Sequence, residues 1–194
     1  IEPNILSDEI IEFCLTKSER FVPHFHIPLQ SGSDKLLKAM RRKYERSVFA
    51  DRVKAIKNFS PDACIGVDVI IGFPGETDED FMETVDFIKD LDVSYLHVFT
   101  YSERANTGAI KLGDPVPMNI RKQRSKQLHV LSDKKKRAFY ETNIGKSGIV
   151  LFENEDNGGM MHGFTENYVK VKVQFNPSLS NTFRKVTLDE IDRD

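Results

Sequence analysis

No apolar run in the 194 residues approaches the roughly 20 needed to span a bilayer, and no charged-then-apolar segment opens the chain. A membrane anchor is therefore not expected, and a cytoplasmic location is. Cysteine is scarce: Cys14 and Cys64 stand fifty residues apart, which suits neither a disulfide framework nor a C-x-x-C metal site, and both read as small buried hydrophobes. The formal charge of -2 is too near zero to imply a polyanionic partner by itself. An initiator methionine is missing. Ile1, Glu2 and Pro3 read as a strand end leaving for a loop, so a segment of a longer protein is expected, large enough for one large or two small domains.

What is present is organised around residues 68–81. Val67, Val69, Ile70 and Ile71 form a β-branched run too short for a helix and too continuous for a strand with one wet face, which reads as a buried parallel strand. Gly72 and Gly75 bracket Pro74 and permit a sharp turn. Thr77, with Asp80 three residues on, is a capping box ahead of Phe81, Val85 and Ile88 at helical spacing. Ligands of parallel α/β folds sit at the carboxyl ends of strands, so residues 72–76 stand where a cofactor is expected. No lysine follows, as a P-loop would require.

Two more strands are expected, at 24–29 and 95–100, each running into a polar turn. The first ends at Gln30, Ser31, Gly32 and Ser33, with Ser33 capping a helix that carries Leu36, Leu37 and Met40; Ser7 caps an earlier one with Ile10 and Ile11. A helix at about 47–59 precedes the central strand, and the third strand ends in the polar stretch 101–108. Repeated strand, turn and helix argue for parallel strands adjacent in one curved sheet; three of them cannot close a barrel. Asp68 inside an apolar strand is costly to bury unpaired, and Arg42 and Arg104 are its candidate partners. His24 and His26 share a strand face, but with no third ligand in view a metal site is not expected; His97, His129 and His162 carry no signal.

After Pro115 and Pro117 a long helix runs from 119 to about 140. Between residues 121 and 137 it carries Arg121, Lys122, Arg124, Lys126, Lys134, Lys135, Lys136 and Arg137 against Asp133 alone. Such a run is either a solvated face or a phosphate-facing one, and Lys134, Lys135 and Lys136 are the candidates for RNA contact. Beyond residue 143, short strands at 148–153, 160–165, 168–174 and 183–188 suggest a small β-barrel of oligonucleotide-binding type. It is mildly acidic, so RNA contact there has to be local; Tyr168, Lys170 and Lys172 alternate onto one wet face.

The stretches HIPLQSGSD at 26–34, DVIIGFPGET at 68–77, and FTYSER at 99–104 with TGA at 107–109 resemble the radical SAM methylthiotransferases of the MiaB-like group. GFTENY at 163–168 is similar to the MtaB-like subfamily, which adds a methylthio group to threonylcarbamoyladenosine next to the anticodon of tRNA. The resemblance covers essentially the whole chain. It implies an α/β fold: the second half of a partial (β/α) TIM-like barrel with a basic linker helix over 1–141, then a small all-β TRAM domain, OB-like, over 142–194. It implies S-adenosylmethionine as cofactor, contacted by Gln30, Ser31, Asp68, Gly72, Gly75, Glu76 and Arg104, and tRNA as partner. The group also holds [4Fe-4S] clusters on a C-x-x-x-C-x-x-C motif and on further N-terminal cysteines. Neither set is in this sequence, so the upstream part of the same protein is expected as a partner, and the chain alone is expected to have no catalytic residue and no activity. A related branch modifies a ribosomal protein, which leaves an RNA- or ribosomal-protein-binding module as the alternative.

Overall fold

In the computed structural model, three parallel strands form where the β-branched and aromatic runs stand: β1 (His24–Gln30), β2 (Cys64–Ile71) and β3 (Tyr95–Thr100), in spatial order β1-β2-β3. The described residues are 1–104 and 107–192; Ala105 and Asn106, in the polar stretch after the third strand, and Arg193 and Asp194 lie outside them. Helices α1 (Asp8–Glu12), α2 (Asp34–Ala39), α3 (Arg46–Phe59) and α4 (Asp78–Asp90) separate and follow the strands. Ser7 caps α1 by accepting from the Ile10 N–H, and Thr77 with Asp80 forms a complete capping box on α4.

Alternation along the strands divides the sheet into two unlike faces. Phe25, Ile27, Leu29, Ile65, Val67, Val69, Ile71 and Leu96 are buried against Phe49, Val53 and Ile56 of α3 and Phe81, Val85 and Ile88 of α4. Burying side chains of this size contributes about 1.5–3 kcal/mol each and fixes which face turns inward. The opposite, concave face carries His24, His26, Asp68, Ile70, Tyr95, His97 and Phe99, all exposed or half-exposed. The expectation of a wholly buried central strand is therefore met on one side only.

The long helix α5 (Met118–Glu141) lies along β3. Ser132 Oγ accepts from the Leu96 N–H at 2.9 Å and donates to the Leu96 carbonyl at 3.1 Å, satisfying backbone groups on the outer edge of that strand. Arg121, Arg124, Leu128, Ser132 and Phe139 are its buried residues, at helical spacing.

The C-terminal strands β4 (Ser147–Phe152), β5 (Met160–Thr165), β6 (Lys170–Gln174) and β7 (Phe183–Thr187) form an antiparallel sheet in order β6-β5-β4-β7. Val150, Phe152 and Met161 are its core, with Val171, Val173 and Val186 packed on them. The expected barrel does not close among the described residues: β6 and β7 remain edges, separated by a groove of about 700 Å³ lined in part by Val171, Val173, Val186 and Ile191. Cys64, Phe139 and Val169 pack the two sheets together, and Asn167 Nδ2 donates to the Asp62 carbonyl at 3.0 Å. No helix among the described residues is long and apolar enough to cross a membrane.

Candidate functional site

The turn after β2 is held from behind by α5. Gly72 has φ +74°, and a Cβ there would lie 2.5 Å from Arg121 Cγ, so glycine is required by both conformation and space. Its N–H donates to Glu76 Oε2 at 2.6 Å. Glu76 is 6% exposed and accepts from Arg124 Nη1 at 2.6 Å, while Arg124 Nη2 donates to Asp78 at 2.6 Å. Burial is the largest influence on Glu76 and raises its pKa; the Gly72 N–H and Arg124 act against it. Arg121 in turn donates to the Val116 and Tyr101 carbonyls at 2.7 and 2.8 Å and pairs with Glu103. Gly72 and Glu76 thus lock the turn onto the helix.

Ser31 is engaged within the protein in the same way. It is 1% exposed, its hydroxyl lies 3.2 Å from Thr84 Oγ1, and it accepts from the Ser33 N–H. Ser33 does not cap α2 with its side chain as expected; its hydroxyl donates to Asp80 Oδ1 at 2.9 Å. Burial alone would raise Asp80, but hydrogen bonds from Lys35, Thr77 and Ser33 prevail and its pKa is lowered. This polar knot ties the turn after β1 to the start of α4. Gln30, at φ 69° beyond a bulge in β1, makes no side-chain hydrogen bond among the described residues. Gly75, at φ +81°, has open space where a Cβ would stand, and Ile70 and Phe99 face each other in register beside it. Arg104 is exposed, with no ion pair among the described residues.

Below these groups the concave face carries a connected set of rings. Asp68 pairs with His26, whose Nε2 lies 2.6 Å from Oδ1; Arg42 instead donates to Glu2, and Arg104 is not engaged, so neither expected partner is the real one. His26 and His97, from the two outer strands, stack across β2 with centroids 4.9 Å apart and planes 17° from parallel. The Tyr95 ring lies over Gly66, where a Cβ would approach it to 2.4 Å, and its hydroxyl is 2.8 Å from His24 Nε2. Burial raises the Tyr95 pKa and lowers that of His24 to about 4, with His26 and His97 adding to the latter effect, so His24 is neutral at pH 7. Tyr168 stacks on His24 at 3.9 Å, with Phe164 behind it at 4.7 Å. Tyr168 therefore occupies a turn at φ 65° with its ring against the other sheet, not the strand face shared by Lys170 and Lys172. His97 and Tyr95 went unread in the sequence. The signal was parity: Leu96 and Val98 are core positions, which turns 95, 97 and 99 the other way.

The basic helix is also less free than its composition suggests. Arg121 and Arg124 are buried and paired, and Arg137 donates to Glu141. Lys135 donates to the Lys89 and Leu91 carbonyls at the end of α4, and burial lowers its pKa. Lys134 and Lys136 are exposed, the latter 5.6 Å over the Tyr140 ring. Lys172 pairs with Asp192 at 2.6 Å, and Lys170 is exposed.

The residues at the carboxyl ends fit a nucleoside cofactor, with a Gln30 amide free of protein partners and an approachable backbone at Gly75; Ile70 and Phe99 form a separate apolar shelf. They do not fit an iron–sulfur cluster. Cys64 is buried, which pushes its thiol up to about 11, and among the described residues no group of three or more His, Cys, Asp or Glu side chains is arranged to hold a metal ion. A helix-backed parallel sheet with an open glycine turn above a polar concave face defines one section of an α/β barrel that binds its ligand at the strand ends. Residues 4–88 match the radical SAM superfamily. The chain is 43% identical over 177 residues to the threonylcarbamoyladenosine tRNA methylthiotransferase MtaB of Bacillus subtilis, covering 88% of this chain and 39% of that protein. It is 34% identical over 190 residues to the tRNA-2-methylthio-N(6)-dimethylallyladenosine synthase of Desulfitobacterium hafniense, covering 97% of this chain and 42% of that protein. The coproporphyrinogen III oxidase HemN of Escherichia coli, a radical SAM enzyme, shares the fold with a TM-score of 0.58 at 11% identity, over 86% of this chain and 45% of that one. The chain is thus similar over most of its length to radical SAM methylthiotransferases, and spans about two fifths of the length of the curated relatives it matches. That family implies S-adenosylmethionine and [4Fe-4S] clusters.

Proposed function

We propose that the chain is the cofactor-facing section of a cytoplasmic tRNA methylthiotransferase that acts on threonylcarbamoyladenosine next to the anticodon, with cluster ligands supplied from outside these residues. Bound S-adenosylmethionine supplies the methyl and radical chemistry of the family. This chain's own residues seat and orient ligands: Gln30 and Gly75 at the strand ends, Arg104 beside them, and Asp68 with its imidazole partners beneath. In this reading residues 142–194 form a TRAM-related unit after a section of barrel at 1–141. The relatives divide between two substrate arms, a polar anionic threonylcarbamoyl group and an apolar dimethylallyl group. The observation that favours the first is the concave face, where His24, His26, Asp68, Tyr95 and His97 present polar groups that an isoprenoid arm would desolvate without return. The test is deletion of the encoding gene and mass spectrometry of tRNA nucleosides. The 2-methylthio form of threonylcarbamoyladenosine is expected to vanish while that of dimethylallyladenosine persists; the reverse pattern would refute the reading.

A further inference from the structure

The stacked imidazoles on the concave face have a chemistry that the seating of a cofactor does not use. His26 is fixed by Asp68, so its orientation is set and the Asp68 carboxylate is already paired. His97 is held in place by two rings, stacked on His26 and meeting Tyr95 edge-on at 5.1 Å. Its own nitrogens make no hydrogen bond among the described residues, and it is exposed. An imidazole immobilised by packing and left with free polar atoms is preorganised to bind something.

Its level in the sheet limits what that is. Asp68 is in register with His97, and Ile70 with Phe99, so the imidazole layer lies two residues, about 6–7 Å, below the apolar shelf at the strand ends. A planar base held at that shelf directs a substituent of several atoms down to His97. The group that gains there is an acceptor, and an anionic one most, because hydrogen bonds to charged groups are the stronger kind.

Resting on the function proposed above, we propose that His97, buttressed by the His26–Asp68 pair, binds the carboxylate of the threonylcarbamoyl arm and is the residue by which the protein selects that substrate. An apolar arm at the same level would cover the His97 nitrogens without satisfying them.

The test uses the purified gene product and three nucleosides: N6-threonylcarbamoyladenosine, its carboxamide, in which the carboxylate is replaced by a neutral amide, and N6-dimethylallyladenosine. In titration calorimetry the unaltered protein is expected to bind the acid about 10- to 100-fold more tightly than the carboxamide. His97→Ala should abolish that preference by lowering affinity for the acid alone, with affinity for the carboxamide kept within about twofold. His97→Phe keeps the ring stack on His26 and should lose the preference equally, which guards against a folding defect in the alanine variant. A merely structural role would weaken acid and carboxamide together, and that result would overturn the inference, as would equal affinity for the two in the unaltered protein or no binding of either. Failure of the broader reading shows separately, in the tRNA of the deletion strain, which does not depend on His97.

Discussion

Replacing Arg124 by methionine tests the arrangement that ties Glu76 to α5. The substitution leaves Glu76, 6% exposed, with the Gly72 N–H as its remaining hydrogen bond. Removing one partner of a buried ion pair costs about 3–5 kcal/mol; since the backbone bond persists, a value near 3 is expected. The contact to Asp78 adds little, because that carboxylate is 86% exposed. With a urea m-value of about 2 kcal/mol/M, the unfolding midpoint should fall by about 1.5 M. The loss also has a direction in pH. Burial already raises Glu76 above its usual 4.5, and without Arg124 it rises further. A carboxyl raised in the folded state holds its proton more tightly folded than unfolded, so the associated stability is present at low pH and lost as pH rises through the folded value. Urea midpoints of the Arg124→Met protein should therefore recover between pH 8 and pH 5, and adding Glu76→Gln should flatten that recovery. A loss below about 1 kcal/mol, as for a surface pair, or one independent of pH, would refute the argument.

His24 gives a second pH dependence, of opposite sign. Its folded pKa is lowered from 6.5 to about 4, so below 6.5 the unfolded chain takes up the proton first and stability falls as pH drops toward 4. Allowing for its partial exposure, this amounts to about 1 kcal/mol at pH 5, measurable as the difference between the unaltered protein and His24→Phe in urea titrations at pH 8 and pH 5; parallel behaviour of the two would refute it. On the RNA side, Lys134→Gln with Lys136→Gln should flatten the salt dependence of tRNA binding by up to about 2 log units per log unit, whereas Lys135→Gln should lower the thermal midpoint with little change in slope. Identical slopes for all three proteins would remove α5 from the RNA surface.

The elements legible in the sequence are those whose causes are local. The strand at 65–71, the glycine turn and the capping box of α4 follow from neighbours within a few residues, and they stand where the pattern placed them. Partnerships across the chain were not legible: Arg124 meets Glu76 over 48 residues and His26 meets Asp68 over 42, and composition describes all four side chains equally well as solvated. That is why a basic run read as a candidate RNA face divides, in three dimensions, into buried struts at Arg121 and Arg124, a helix-end clamp at Lys135 and exposed cations at Lys134 and Lys136.

The same reasoning separates residues that make the site from residues that form it. Gly72, Glu76, Ser31, Ser33 and Asp80 are polar or flexible, stand at strand ends, and satisfy one another or α5; their exchange would deform the turns before touching a ligand. Gln30 and His97 make no side-chain hydrogen bond among the described residues, Gly75 has open space where a Cβ would stand, and His97 is held by the rings packed on it. Burial distinguishes the two groups less well than hydrogen-bond accounting does, because Gln30 is 7% exposed, much like Glu76 at 6%, yet only Glu76 has side-chain hydrogen bonds among the described residues. In a helix-backed sheet, strand parity names the candidate face, and the unmatched donors and acceptors on it name the groups available to a ligand.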